Sequence, residues 1–401
     1  MEIWQTTCLV AGGGPAGMML AYLLARSGVQ TILVEKHGDF LRDFRGDTVH
    51  PSTTEVMHEL GLLDEFLREV PHQTVEQLSI GFSGRTFDLV DFRHLPTACK
   101  YVVFMPQWDF LNFMADKAKR YPSFRLEMNT EATGLLWEGD RITGITAQAR
   151  GGPVEIRADL TVACDGRWSI VREQSGLPVT EFPMPIDVLW FRLLRAESAP
   201  KTLGYFGEGQ IVIAINRGEY WQCGTIIDKG GFERMKAEGL PAFQSKIATA
   251  APFLTTGLTA LTDWDQVKLL SVRANRLQQW WLPGLLCIGD AAHAMSPVGG
   301  IGVNYAIADA VATANSLAGP LLNGQVTDDD LRAVQKRRET PTKIAQRLQG
   351  AQTANLARLS KSAPPLWILR LLSHSPPVKR LLGRTMGLGF RREHVRTVER
   401  A

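Results

Sequence analysis

Apolar and polar positions alternate along this chain in two periods, and the order of those periods predicts its architecture. "TTCLVAGG" reads as a short apolar strand running into glycines. "PAGMMLAYLLARSG" places its apolar residues at helical spacing and stops at Gly28, and "VQTILVEK" is a second strand. Helical patterns follow at 52–70 and 107–121, with a strand at "YVVFMP" before the second. Several short strands joined by Gly, Asn and Asp turns then lead to a strand that ends at Asp165. A second β-rich block covers 186–228 and a helical stretch 231–258. A late strand lies in "WWLPGLLCIGD", and 303–318 and 328–359 are helical. With no internal repeat and no low-complexity linker, the pattern predicts an α/β fold interrupted by a β-sheet insertion.

Composition narrows the class. At 401 residues the chain is too long for one small core, and 45% hydrophobic with 21% charged residues is ordinary for a globular enzyme. A net charge of +3 is too weak to argue for nucleic acid, so no nucleic-acid partner is expected. The five cysteines (Cys8, Cys99, Cys164, Cys223, Cys287) show no C-x-x-C and no accompanying His cluster, so buried thiols are expected rather than disulfides or a metal site. No secretory leader is expected, and no apolar run reaches the ~18 residues of a membrane span. The expected compartment is the cytoplasm.

Two glycine-rich stretches carry the chemistry. In Gly12-x-Gly14-x-x-Gly17, the first glycine allows a tight turn, the second lets a pyrophosphate approach the backbone, and the third lets helix pack on strand. Pro15 and Ala16 begin the helix, whose first N–H groups face the phosphates. Glu35 closes the next strand about 20 residues on, followed by Lys36, where a carboxylate grips ribose hydroxyls. Strand, helix, second strand and acid together predict dinucleotide binding but do not choose between NAD and FAD. The second stretch, "CIGDAAHAMSPVGGIGVN" (287–304), ends an apolar run on an acid and leads through Pro297 and glycines into a helix. Its free N–H groups suit an anion, and its glycines let it lie flat against a ring.

"LLCIGDAAHAMSPVGGIGVN" resembles the second FAD motif of the group A flavoprotein monooxygenases related to p-hydroxybenzoate hydroxylase. "VACDGRWSIVR" resembles that family's Asp-Gly motif, matched by Asp165, Gly166, Ser169 and Arg172. "DFRGDTVHPST" matches the loop whose arginine, here Arg45, lies near the flavin, while "MPQWDFLNFM" supplies the glutamine, Gln107, placed on FAD. The resemblance implies that Gly289 and Asp290 hold the ribityl chain and that Pro297, Gly300, Gly302, Val303 and Asn304 pass along the flavin ring. Both glycine loops would then serve one FAD. Arg45 and Pro297 are the residues nearest the chemistry, with Arg42, His50 and His293 open and His293 more readily a capping or core histidine.

The implied fold is a Rossmann-like FAD-binding fold of the glutathione-reductase type, interrupted by a mixed or antiparallel substrate sheet and ending in helices. The expected segments are 1–75, 104–180 and 276–360 for FAD, 76–103 and 181–275 for substrate, and a basic tail over 361–401. The implied activity is hydroxylation of an aromatic or conjugated small molecule. In it, NADH or NADPH transiently reduces FAD, O₂ adds at the flavin C4a, and the hydroperoxide transfers OH. A flavin oxidase, dehydrogenase or reductase, or a flavin-binding protein without turnover, are the alternatives. Substrate-facing candidates are Trp190, Arg192, Tyr205 and Phe206, with the face of the sheet undecided; Trp280 and Trp281 read as packing. A homodimer stays open. In the tail, two helices are expected to bury Trp367, Ile368, Leu371 and Leu372, so membrane contact is not expected; a basic amphipathic membrane segment is the alternative.

Overall fold

Strong apolar runs of four short strands lie side by side at the centre of the molecule. The computed structural model describes residues 2–41, 48–82, 84–194, 204–207, 209–359 and 365–400. The central sheet runs in the order Trp281–Leu282, Leu285–Cys287, Gly152–Ala163, Glu2–Ala11, Thr31–Glu35 and Phe124–Met128. Its inner strands are parallel and, toward their carboxyl ends, buried on both faces, which is why those ends read as continuous apolar runs rather than as alternations. The register aligns their carboxyl ends: Ala11 stands opposite Val34 on one side and Ala163 on the other, and Ala163 opposite Cys287. Arg141–Ala149 and Glu131–Glu138 extend from Gly152–Ala163 as an antiparallel flap.

The helices Pro15–Arg26 and Gly302–Leu322 pack against each other over this sheet. The single helical pattern over 52–70 becomes two helices, Pro51–Glu59 and Leu63–Glu69, because Gly61 between them adopts φ +70°. All five cysteines are buried and unpaired.

The inserted sheet has seven strands in the order Lys268–Leu270, Ile186–Leu194, Tyr220–Asp228, Gln210–Asn216, Gly204–Gly207, Gln77–Phe82 and Arg85–Asp91. Two segments far apart in sequence therefore build one sheet. Period-two alternation divides its faces. Leu189, Phe191 and Leu193 pack with Val212, Ala214 and Trp221 against the helices Leu240–Ala250 and Thr255–Leu258. The opposite face presents Trp190 and Ile213 to Phe92 and Phe104, and Ile211 and Ile226 to Val298 of the second glycine loop.

The tail departs from expectation. Leu366–Ser373 and Pro376–Leu388 are helices, but Trp367 and Leu371 are 65% and 63% exposed, while Leu369 is the buried residue. Trp367 and Leu371 are one turn apart and share a face, so a helix that turns Leu369 inward must turn them out. Ile368 and Leu372 are half-buried. Beyond the helices the chain runs back along the central fold. His394 and the Val395 amide meet Glu59, Tyr121 donates to Glu399, and the Arg400 amide donates to the Arg26 carbonyl.

Candidate functional site

The Gly12–Gly17 turn, the Asp165–Gly166 pair and the Gly289–Asp290 pair converge at the carboxyl ends of the parallel strands, where ligands of open α/β sheets bind. Gly12 follows Ala11 at φ +108°, and a Cβ there would meet the Cys164 carbonyl oxygen at 2.5 Å. A Cβ on Gly17 would meet the Gly12 oxygen at 2.0 Å, so the helix starts only because both positions are bare. A Cβ on Gly14 would meet nothing within 4 Å, leaving open space above the turn. Gly14 is also the N-cap of Pro15–Arg26, with no side chain capping it, so the first-turn amides of Ala16 and Gly17 stay available.

Glu35 is buried at the end of its strand, and its two oxygens accept from the Gly13 and His37 amides, each at 3.0 Å. It therefore shapes the glycine turn as well as offering a carboxylate beside it. Lys36 points away, 57% exposed and 3.9 Å from Glu131.

The second loop lies against the first. A Cβ on Gly289 would meet Ala16 Cβ at 3.1 Å and Ala306 Cβ at 3.4 Å, so Gly289 is wedged between the first turns of two helices. Asp290 next to it is paired with Arg167 at 3.3 Å. Gly302–Leu322 likewise begins with no side-chain cap, freeing the amides of Gly302 and Val303. Pro297 is half-buried at the head of the turn Val298–Gly300, and Gly300 (φ +63°) comes so near Thr48 that a Cβ would meet its Oγ1 at 2.3 Å.

The Asp165 carboxyl, pushed upward by burial, accepts from the Ser169 hydroxyl and, at 3.2 Å, from the Val171 amide. Gly166 follows it at φ +86°. Arg172 binds the Ala291 carbonyl at 3.1 Å and the Arg167 carbonyl at 2.8 Å, tying the Asp-Gly loop to the Asp290 loop. Gln107 opens the helix Gln107–Ala118, half-buried. Asn304 is the candidate whose side chain is most engaged with the protein. Its Oδ1 accepts from the His50 amide at 3.0 Å and the Thr53 hydroxyl at 2.7 Å. Arg42 and Arg45 lie outside the described residues.

His50 is buried, with Nδ1 2.9 Å from the Met386 carbonyl, and burial drives its pKa down to about 4. His293 is a core histidine: Nε2 lies 2.5 Å from Asp309 Oδ2, and its ring packs on Trp280 at 5.0 Å. Sequence reasoning missed Asp309 and Arg338, both essentially inaccessible. Asp309 accepts from the Gly289 amide at 3.1 Å and from Arg338 Nε at 2.9 Å. Arg338 in turn meets Glu393 at 3.3 Å. Burial alone would raise the Asp309 carboxyl, but His293 and Arg338 hold it below its usual range. A single acid inside the apolar helix "NYAIADAVATANSL" was the available signal.

Of the four sheet candidates, Trp190 and Phe206 pack in the clusters on the glycine-loop side, and Arg192 shares the strand parity of Trp190. Tyr205 lies on the far face, its ring 4.8 Å from Phe253.

The donor set fits FAD: two uncapped helix starts and an open glycine turn for phosphates, a buried carboxylate beside them, and a second acid with a flat glycine loop further along. Among the described residues no cluster could hold a metal ion.

Comparison with known proteins bears on the same residues. A family model described as FAD binding domain matches residues 5–348. The chain is 30% identical over 385 residues to the 6-methylpretetramide 4-monooxygenase of Streptomyces rimosus, covering 95% of this chain and 92% of that protein. It is 26% identical over 314 residues to the dialkyldecalin synthase of Streptomyces rugosporus, covering 76% of this chain and 63% of that longer protein. Among solved structures, the OxyS anhydrotetracycline hydroxylase from Streptomyces rimosus superposes with a TM-score of 0.75 at 20% identity, over 96% of this chain and 76% of that one. With the FAD model matching most of the chain and a relative at this identity along nearly all of both chains, the chain belongs to the FAD binding domain family and is an FAD-dependent monooxygenase of the aromatic-hydroxylase kind.

Proposed function

We propose that this enzyme takes electrons from NADH or NADPH and hydroxylates a multi-ring aromatic or conjugated small molecule with O₂. The observation that carries the reading is the meeting of the inserted sheet with the second glycine loop. Phe206, Ile211 and Ile226 pack toward Val298, with Trp190 on the same side of the sheet. An apolar, aromatic-lined wall over the flavin-end loop suits a flat ring system and excludes water. The substrate class is drawn from the relative named for 6-methylpretetramide.

Bound FAD supplies the hydride-accepting ring and, once reduced, the activation of O₂. The chain's residues do the rest. Ala16 and Gly17 amides would bind the pyrophosphate, Glu35 a ribose, and Asp290 the ribityl hydroxyls. The start of Gly302–Leu322 would place partial positive charge at the anionic edge of a reduced flavin. Arg45 and Gln107 are assigned to the cofactor by motif alone.

A second reading comes from the similarity to a dialkyldecalin synthase. A ring closure without oxidation would use the same apolar wall and consume neither NAD(P)H nor O₂. One experiment separates them: a panel of polycyclic phenols and of open-chain polyenes with NADPH or NADH, following nucleotide oxidation, O₂ uptake and product mass. Substrate-stimulated consumption with gain of one oxygen atom supports hydroxylation. Product of unchanged mass without nucleotide consumption assigns the cyclase reading.

A further inference from the structure

The two C-terminal helices leave apolar surface uncovered in a regular way. Helical spacing puts Trp367, Arg370 and Leu371 on one stripe of the first helix, and Arg380, Leu381 and Arg384 on one stripe of the second. All six are exposed, with Leu381 at 61%. The opposite faces are pinned. A Cβ on Gly383 would meet the Asp91 carbonyl oxygen at 1.9 Å, so the second helix lies directly against an edge strand of the inserted sheet. Leu388 joins the cluster of Phe92, Leu95 and Phe104. Neither stripe can turn inward without breaking these contacts.

Charge identifies the occupant. Residues 366–388 contain Arg370, Lys379, Arg380 and Arg384 and no Asp or Glu. Arginine and tryptophan are enriched in protein interfaces as well, but a stretch that carries four cations and no acid calls for an anionic partner surface. Long basic side chains that lay their stems along apolar surface and reach for anionic headgroups fit stripes that mix cations with apolar side chains, and tryptophan favours the same boundary. A second copy would bring four like charges against four.

We propose that this face docks the enzyme peripherally on an anionic lipid bilayer, with Trp367, Leu371 and Leu381 entering the headgroup boundary. The helices are 8 and 13 residues long, so they would lie in the interface rather than cross it. Among the described residues no helix is long and apolar enough to span. Docking of this kind does not depend on which substrate the enzyme takes.

The test is co-sedimentation of the full-length, FAD-loaded protein with vesicles of phosphatidylcholine alone or mixed with phosphatidylglycerol. The expected result is partitioning about tenfold stronger onto the anionic vesicles, weakening as salt rises. The double variant Trp367→Ser/Leu371→Ser should lose about tenfold of that binding, with FAD content and Tm unchanged because both residues are exposed. Arg380→Gln/Arg384→Gln should reduce binding to the anionic vesicles only. Absence of binding to anionic vesicles, or equal binding by the wild type and the Trp367→Ser/Leu371→Ser variant, overturns the proposal. So does concentration-dependent self-association abolished by that variant, which would assign the face to a second copy.

Discussion

The Gly289 amide donates to Asp309 Oδ2 at 3.1 Å, so the turn that carries Asp290 hangs on a carboxylate from the following helix. The same carboxylate meets His293 and Arg338, all three side chains being buried. Breaking a buried ion pair by removing one partner costs about 3–5 kcal/mol. Asp309→Ala is therefore expected to lose stability of that order in urea unfolding and to weaken FAD in a fluorescence titration. Asp309→Asn keeps an acceptor for Gly289 and should recover FAD affinity better than stability. Wild-type unfolding by Asp309→Ala would mean that the network does not stabilise the fold.

Asp290 and Glu35 should separate cleanly. Asp290 is partly exposed, and among the described residues its carboxylate pairs with Arg167, so Asp290→Ala should barely move the Tm of the apoprotein. Its FAD affinity should fall ten- to a hundredfold, since a hydrogen bond to a charged group contributes roughly 1.5–3 kcal/mol. Glu35 is buried and satisfies two backbone amides. Glu35→Ala should lower the apoprotein Tm as well as FAD affinity, because the buried Gly13 amide loses its carboxylate acceptor. Calorimetry on both apoproteins, alongside flavin titration, checks the contrast.

Much of this site was legible because its chemistry sits in short local motifs. The Gly12-Gly14-Gly17 fingerprint and the Gly289-Asp290 stretch each pair a strand end with a helix start, and strand and helix periods are local. What the sequence hid depends on tertiary placement. Nothing near Arg338 announces that it is inaccessible, because helix Asp328–Leu359 is polar along most of its length. The face of the inserted sheet was undecidable for the same reason. Tyr205 and Phe206 are neighbours, and only the helices packed behind Leu189 and Phe191 determine which of the two meets the flavin loop. In the tail, apolar content suggested burial, but Leu369 turned inward in the first helix and the strand contact at Gly383 in the second fix which stripes face outward.

His50 predicts an acid-side loss of stability. Burial lowers its folded pKa from the ordinary 6.5 to about 4. Below pH 6.5 the unfolded chain binds a proton that the folded protein does not, so stability falls as pH drops through that window and levels off below about 4. Above pH 6.5 this residue contributes no slope. His50→Gln should flatten the slope between those limits. Urea midpoints of both proteins across the range measure it, and identical slopes would mean that His50 titrates normally.

The substrate wall can be tested through a glycine that never touches substrate. A Cβ on Gly224 would come 3.0 Å from the Trp190 ring, so the indole lies flat on a bare stretch of the neighbouring strand. Gly224→Ala must push that ring off the sheet, toward Phe92 and Phe104, by a few tenths of an ångström, because the strand backbone cannot yield. Under the hydroxylase reading, a displaced wall misplaces the reacting carbon, and small displacements are costly, so kcat/KM should fall about tenfold or more. Trp190→Ala should instead raise KM and let water in, so that nucleotide is consumed without matching product. Tyr205→Ala is the control. Its ring packs on Phe253 behind the sheet, so it should cost about 2 kcal/mol of stability yet leave KM and the ratio of product to nucleotide unchanged. If Gly224→Ala and Tyr205→Ala change that ratio alike, the substrate does not lie on the Trp190 face.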